Sequence, residues 1–160
     1  MYEANSIRIP CRVNIIGEHI DYNGGHVLPF AGNLYMKFDW QELTEKHIII
    51  RSENLNEEHN IKLSSSYNIN GGWIGYLENT YRTFKNYFPD IKEKGIQINI
   101  NSSIPIGAGL SSSSAMIAGF LKVLDIVHDV KISSELSIKI SSEVEYGQGV
   151  KGGLMDQYTI

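Results

Sequence analysis

Read for the alternation of apolar and polar positions, the 160-residue chain divides into a strand-rich first half and a helix-rich second half. The run "IRIPCRVNII", Ile7 to Ile16, is dense in β-branched residues and stops at a glycine turn, as a strand does. A second extended run follows in "HVLPFAGNLYMKFDW" (26–40), where Pro29 and Gly32 point to an edge, a bend or a bulge. "HIIIRS" (47–52) and "NIKLSS" (60–65) read as a further strand pair across the polar turn "ENLNEEH". From Trp73 the period changes. Trp73, Leu77, Tyr81, Phe84 and Phe88 recur at steps of three and four, forming the stripe of a helix that Pro89 ends. "GIQINI" is a short alternating strand, and "SSIPIGAGLSSSSA" is a loop that runs into a second helix. That helix carries Ile117, Phe120, Leu121, Leu124 and Val127 on one side. A third starts with Ser133 or Ser134 as cap and holds Leu136, Ile140 and Val144 in register; another is beginning in "DQYTI". Strands first, then helix, strand, helix and helix predict an α+β fold, with helices packed on one face of a largely antiparallel or mixed sheet.

Composition narrows the function classes. Apolar residues make up 42% and charged residues 20%, the balance of a globular domain. A net charge of -4 and a pI near 5.7 give no electrostatic footprint for nucleic acid or an anionic membrane surface. The longest apolar segment, "AMIAGFLKVLDIV", is broken by Lys122 and Asp125, so no membrane span is expected. The start lacks the basic-then-apolar layout of a signal peptide, so the glycosylation-like "NSS" at Asn101 is discounted. Cys11 is the single cysteine, which excludes an internal disulfide and suits a reducing compartment; the cytoplasm is the expected address. With no base paired to it in the sequence, Cys11 reads as core packing.

Three stretches carry candidate chemistry. In "GEHIDYNGG", Glu18, His19 and Asp21 crowd one turn. A solvated connection between strands needs no ligand, yet carboxylates that accept and an imidazole that both donates and accepts suit the several hydroxyls of a sugar. Zinc is a poor fit, since no helical i, i+4 pair and no cysteine or second histidine stands close by. "PIGAGLSSSSA" (105–115) places two glycines and four serines where a helix starts, a setting for phosphate oxygens; the plainer reading is a serine cap. It lacks the Lys-Ser or Lys-Thr pair of a Walker loop, and Ser112 stands where G-x-G-x-x-G has its last glycine. "GGLMDQ" (152–157) carries Asp156, either a cap of the next helix or a base for a hydroxyl attacking phosphorus. His26, His47, His59 and His128 are scattered and read as surface or satisfied histidines. Trp73 and Tyr76, at the head of the first helix, are candidates for a place beside a nucleotide base.

Together and in this order, "RVNIIGEHIDYNGGHVLP", "IPIGAGLSSSSA" and "GGLMDQ" resemble the amino-terminal part of galactokinases, sugar kinases of the GHMP kinase superfamily. The likeness spans almost the whole chain and includes "WIGY". It implies a GHMP-kinase amino-terminal domain of the ribosomal protein S5 domain 2-like fold over 1–160, with a sugar signature at 7–30, a phosphate loop at 104–115 and a catalytic segment at 143–160. The implied reaction is phosphate transfer from ATP, with Mg2+, to the anomeric hydroxyl of galactose or a related hexose, giving galactose 1-phosphate. Residue by residue, the resemblance implies that Glu18, His19, Ile20 and Asp21 meet the sugar. Arg12 is then beside the attacking oxygen, its charge favouring the ionised form of Asp156, the base. Gly107, Ala108, Gly109, Leu110, Ser111, Ser112 and Ser113 wrap the phosphates. Ser113 and a glutamate of the third helix hold magnesium, Glu143 being preferred and Glu145 left open.

The chain departs from the family pattern in several places. Cys11 replaces the glycine usual before the arginine. Ile20 stands where galactokinases more often have threonine, and isoleucine occurs there in relatives acting on N-acetylgalactosamine. One extra residue separates the third helix from Asp156. Family members are more than twice as long, so the expectation is an amino-terminal fragment or truncated product, weak or inactive alone, lacking the carboxy-terminal domain that completes the cleft. Two other readings are a galactose- and ATP-binding sensor without turnover and an N-acetylgalactosamine kinase fragment.

Overall fold

The computed structural model describes residues 5–17, 19–62, 71–150 and 152–160. Among them run β1 (Asn5–Asn14), β2 (Pro29–Leu43), β3 (His47–Ser52), β4 (Glu57–Lys62), α1 (Trp73–Tyr87), β5 (Gly95–Ser102), α2 (Ser112–His128), α3 (Ser134–Gly147) and α4 (Met155–Thr159). A short 3-10 turn, Asp21–Asn23, lies between β1 and β2. The sheet order is β1-β2-β5-β3-β4. β3 runs parallel to β5, and the other neighbouring strands are antiparallel. The mixed sheet with helices on one face is the α+β architecture the element order predicts.

Period-two alternation sets which face is covered. Met36, Phe38 and Trp40 of β2, Ile96, Ile98 and Ile100 of β5, and Ile48 and Ile50 of β3 are all buried. Phe38 pairs with Ile100, Trp40 with Ile98, and Ile98 with Ile50, so one apolar row crosses the sheet. The other face is polar: Lys37 meets Asp39 at 2.7 Å, and Gln41 reaches Gln97 at 3.3 Å. Leu77, Tyr81 and Phe84 of α1, Phe120, Leu121 and Leu124 of α2, and Ile140 and Val144 of α3 close the core over the apolar row. α2 comes down against β2 because Gly119 has no side chain. A Cβ there would stand 2.1 Å from the Phe38 ring.

The helix signals hold. Ser133 caps α3 by accepting the Leu136 N–H at 3.3 Å, and α1 stops at Phe88, immediately before Pro89. The strands differ from expectation at their ends. β1 stops at Asn14, opposite Pro29; Ile15 and Ile16 still exchange backbone hydrogen bonds with Leu28 but out of regular register, and both are exposed. β4 starts at Glu57, inside the expected polar turn, because Arg51 and Ser52 pair with Glu58 and Glu57. The expected strand end at Ser65 lies outside the described residues. The bulge expected near Gly32 is present. Pro10 pairs with Tyr35 but Arg12 pairs with Ala31, so Cys11 alone spans Gly32, Asn33 and Leu34. β2 itself is interior rather than an edge. Among the described residues no helix is long and apolar enough to cross a membrane.

Candidate active site

The irregular register around Cys11 decides where Arg12 points. Cys11 is buried, and Arg12 immediately after it is buried too, a break in strict alternation. The Arg12 N–H donates to the Leu110 carbonyl of the glycine-serine loop before α2 at 3.3 Å. Its guanidinium lies along the same loop, with Nη1 3.4 Å from the Gly109 carbonyl oxygen.

The guanidinium then meets Asp156. Nε donates to Oδ1 at 2.6 Å, and Nη2 lies 2.5 Å from the same oxygen. Oδ2 accepts from the Ser111 hydroxyl at 2.5 Å and has the Ser114 hydroxyl at 3.2 Å. Ser114, almost fully buried, also reaches Glu145 Oε1 at 2.6 Å; a hydroxyl has one proton to give, and the shorter contact takes it. Gln157 Nε2 donates to Glu145 Oε2 at 2.7 Å. Burial pushes the Glu145 carboxyl above its ordinary value. The Asp156 charge adds to the rise, and the Ser114 and Gln157 hydrogen bonds and Arg12 oppose it. β1, α2, α3 and α4 thus bring one cation, two carboxylates and two hydroxyls into contact.

Local geometry shows why the serines divide. Ser111 precedes α2 with φ +56, and its hydroxyl goes to Asp156 instead of capping the helix. Ser114 lies three residues on, on the same side. Ser112 and Ser113 face another way, into a cavity of about 720 Å³ that Trp73, Tyr76, Met116 and Asn54 also line. Gly107, Ala108 and Gly109 are exposed, and both glycines have positive φ. Asp156 occupies the first turn of α4 and is no cap.

The sugar-signature turn folds against the segment before α4. Asp21 packs on Gly153: a Cβ at that position would stand 1.9 Å from Asp21 Oδ2. Asp21 is therefore beside the chain that carries Asp156 three residues later. His19, at φ +60, is held by Tyr22 Oη on its Nδ1 at 2.8 Å and by Asn23 Nδ2 on its carbonyl at 2.8 Å. Ile20 is exposed, and its side chain lies over Gly25. Glu18 lies outside the described residues.

Glu143 and Ser113, expected as metal ligands, have neighbours other than Asp156 among the described residues. Glu143 Oε1 accepts from Tyr87 Oη at 2.6 Å, on the α1 side of α3, and does not meet Asp156. Ser113 lines the aromatic cavity. Glu145, the alternative left open by the sequence, joins the contact around Asp156 through Ser114 and Gln157. Ser114 is legible as the helical partner of Ser111, three positions on; Gln157 carries no sequence signal of its own. Among the described residues no cluster of three or more histidine, cysteine or carboxylate side chains could hold a metal unaided. The donor set of Glu145, Asp156 and a serine hydroxyl is all oxygen, which suits a hard cation that completes its shell with phosphate oxygens and water.

A family model of the GHMP kinases N terminal domain matches residues 75–160, and a model of the galactokinase galactose-binding signature matches residues 3–37. The galactokinase of Thermosipho africanus is 38% identical over 153 residues, covering 95% of this chain and 42% of that protein. The structure of Lactococcus lactis galactokinase complexed with galactose superposes with a TM-score of 0.90 and 28% identity, covering 99% of this chain and 42% of that one. The mevalonate kinase of Methanococcus jannaschii superposes with a TM-score of 0.88 and 28% identity, covering 99% of this chain and 51% of that one. The chain thus spans about 42% of the length of the galactokinases it matches.

Proposed function

The chain belongs to the GHMP kinases, and from that premise we propose that it binds galactose and ATP as a galactokinase does, with Asp156 as the base for the anomeric hydroxyl. The observation that carries this is the meeting of Arg12, Ser111 and Asp156, with the sugar-signature Asp21 three residues away on Gly153. The fold alone does not select the acceptor, since a mevalonate kinase shares it. The match to a galactose-binding signature over residues 3–37 supports galactose.

In this reading Asp21 and His19 hold sugar hydroxyls. In the tautomer whose Nδ1 accepts from Tyr22, the imidazole offers Nε2–H as its donor. The anomeric hydroxyl displaces a serine from Asp156 Oδ2 and gives that oxygen its proton as the sugar oxygen attacks the terminal phosphorus of ATP, whose bond to the bridging oxygen breaks so that ADP leaves. Arg12, fixed on Oδ1, keeps the carboxylate oriented and offsets the charge gathering on the transferred group. The exposed N–H groups of residues 107–111 and the start of α2 receive phosphate oxygens. Glu145, with a hydroxyl of the serine run, is the proposed holder of magnesium, which neutralises phosphate charge when bound. The cavity beside Trp73 and Tyr76 takes the base of the nucleotide.

Titration calorimetry with galactose, in the presence of a non-hydrolysable ATP analogue, tests the reading. Binding is expected for the unaltered chain, weakened about tenfold by Asp21→Asn through loss of a charged hydrogen bond. N-acetylgalactosamine is expected to bind more weakly than galactose. No heat from galactose at millimolar concentration, with or without the analogue, would falsify the proposal.

A further inference from the structure

Glu57 opens β4 and Trp73 opens α1, and their side chains meet at the rim of the aromatic cavity. Glu57 Oε2 accepts the indole Nε1–H of Trp73 at 2.6 Å. The same oxygen lies 3.3 Å from His59 Nε2, and the His59 ring meets the Trp73 ring nearly edge-on, with centroids 5.2 Å apart. The indole is therefore held at its nitrogen and along its ring. The Glu57 carboxyl sits below its ordinary value, first because of the Trp73 hydrogen bond and then because of His59. The turn that leads into β4 is fastened on the opposite side. Asn54 donates to the Ser102 carbonyl at 2.9 Å and accepts the Ser102 N–H at 2.7 Å. Trp73 and Asn54 both line the cavity, so these two attachments set the positions of its walls.

We propose that Glu57 is a positioning residue of this cavity: by engaging the indole N–H it fixes Trp73 as an aromatic wall for the base of a nucleotide. An indole has a single donor. With that donor committed to Glu57, Trp73 offers a ligand its ring alone and recognises flat aromatic surface through stacking and apolar contact. Hydrogen-bond selection between bases then falls to the serine and asparagine side of the cavity. The proposal rests on the assignment of this cavity to the nucleotide base made above.

The test uses the chain's own fluorescence. It has two tryptophans, and Trp40 is buried in the core, so collisional quenching by acrylamide reports Trp73. Without ligand, Glu57→Ala is expected to raise that quenching, whereas Glu57→Gln, which keeps an acceptor oxygen, should match the unaltered chain. In ATP titrations Glu57→Ala should weaken binding about three- to tenfold, the scale of one charge-assisted hydrogen bond, and Glu57→Gln less than about twofold. Inorganic tripolyphosphate, which has no base, should bind all three equally. On a Trp73→Phe background, followed by calorimetry, Glu57→Ala should add no further loss. The proposal is overturned if Glu57→Ala leaves ATP binding unchanged, weakens tripolyphosphate as much as ATP, or acts undiminished on Trp73→Phe. A different result exposes the premise: tripolyphosphate binds the unaltered chain while ATP leaves Trp73 emission untouched. That result overturns the assignment of the cavity, and the Glu57 role with it.

Discussion

Both oxygens of Asp156 have a protein donor: Arg12 on Oδ1 and Ser111 on Oδ2. Arg12 holds one oxygen, and Ser111 and Ser114 approach the other. A carboxylate so held is fixed in orientation, as the proposed role of a base for one sugar hydroxyl requires. Asp21 is placed by the opposite means, an empty space: Gly153 leaves room for a carboxylate that any side chain would evict. Gly153→Ala is therefore expected to weaken galactose binding about tenfold, the cost of misplacing one charged hydrogen bond, while the melting temperature shifts little. Calorimetry beside a thermal melt checks it, and equal galactose affinity in the two proteins would show that Asp21 does not serve the sugar.

At the scale of elements, the tightest fit is α2 on β2. Gly119→Ala drives a methyl group into the Phe38 ring and is expected to cost about 1–3 kcal/mol by overpacking. Adding Phe38→Leu, which shortens the obstructing side chain, should return part of that loss in urea unfolding. Much of this level was legible in the sequence. α1, α2 and α3 announced themselves through stripes of period 3.6, and Pro89 and Ser133 marked ends that the structure keeps. What the sequence withheld was tertiary. Glu143 and Glu145 flank the same buried stripe of Ile140 and Val144, one on either side, so periodicity cannot separate them. Only the packing of α3 between α1 and α4 turns Glu145 toward Asp156 and Glu143 toward Tyr87. The serine run conceals its division in the same way. Which serines face Asp156 depends on where α2 begins, and that is fixed by a residue in the left-handed region.

For the molecule as a whole, the group with the clearest pH consequence is far from the site. His128 ends α2 with its ring 5.6 Å from that of Phe84, and its Nε2 has no hydrogen-bond partner among the described residues. Burial depresses its pKa below the ordinary 6.5, and the charges of Lys94 and Lys85 push the same way. The unfolded chain takes up the proton first as pH falls. This contribution to stability is thus full above about 6.5 and declines below it, until the folded form also protonates. The melting temperature of the unaltered protein should fall between pH 7.5 and 5.5, and that of His128→Phe should fall less. Parallel slopes would remove His128 from the account.

The register slip at Cys11 has an effect well beyond the sheet. It leaves the peptide unit of Arg12 shared between a strand that leads into the sugar-signature turn and the loop offered to phosphate. The strand that leads into the acidic turn and the glycine-serine loop are therefore tied together at one peptide, so the spacing between them is set by backbone rather than by side chains of the hydrophobic interior.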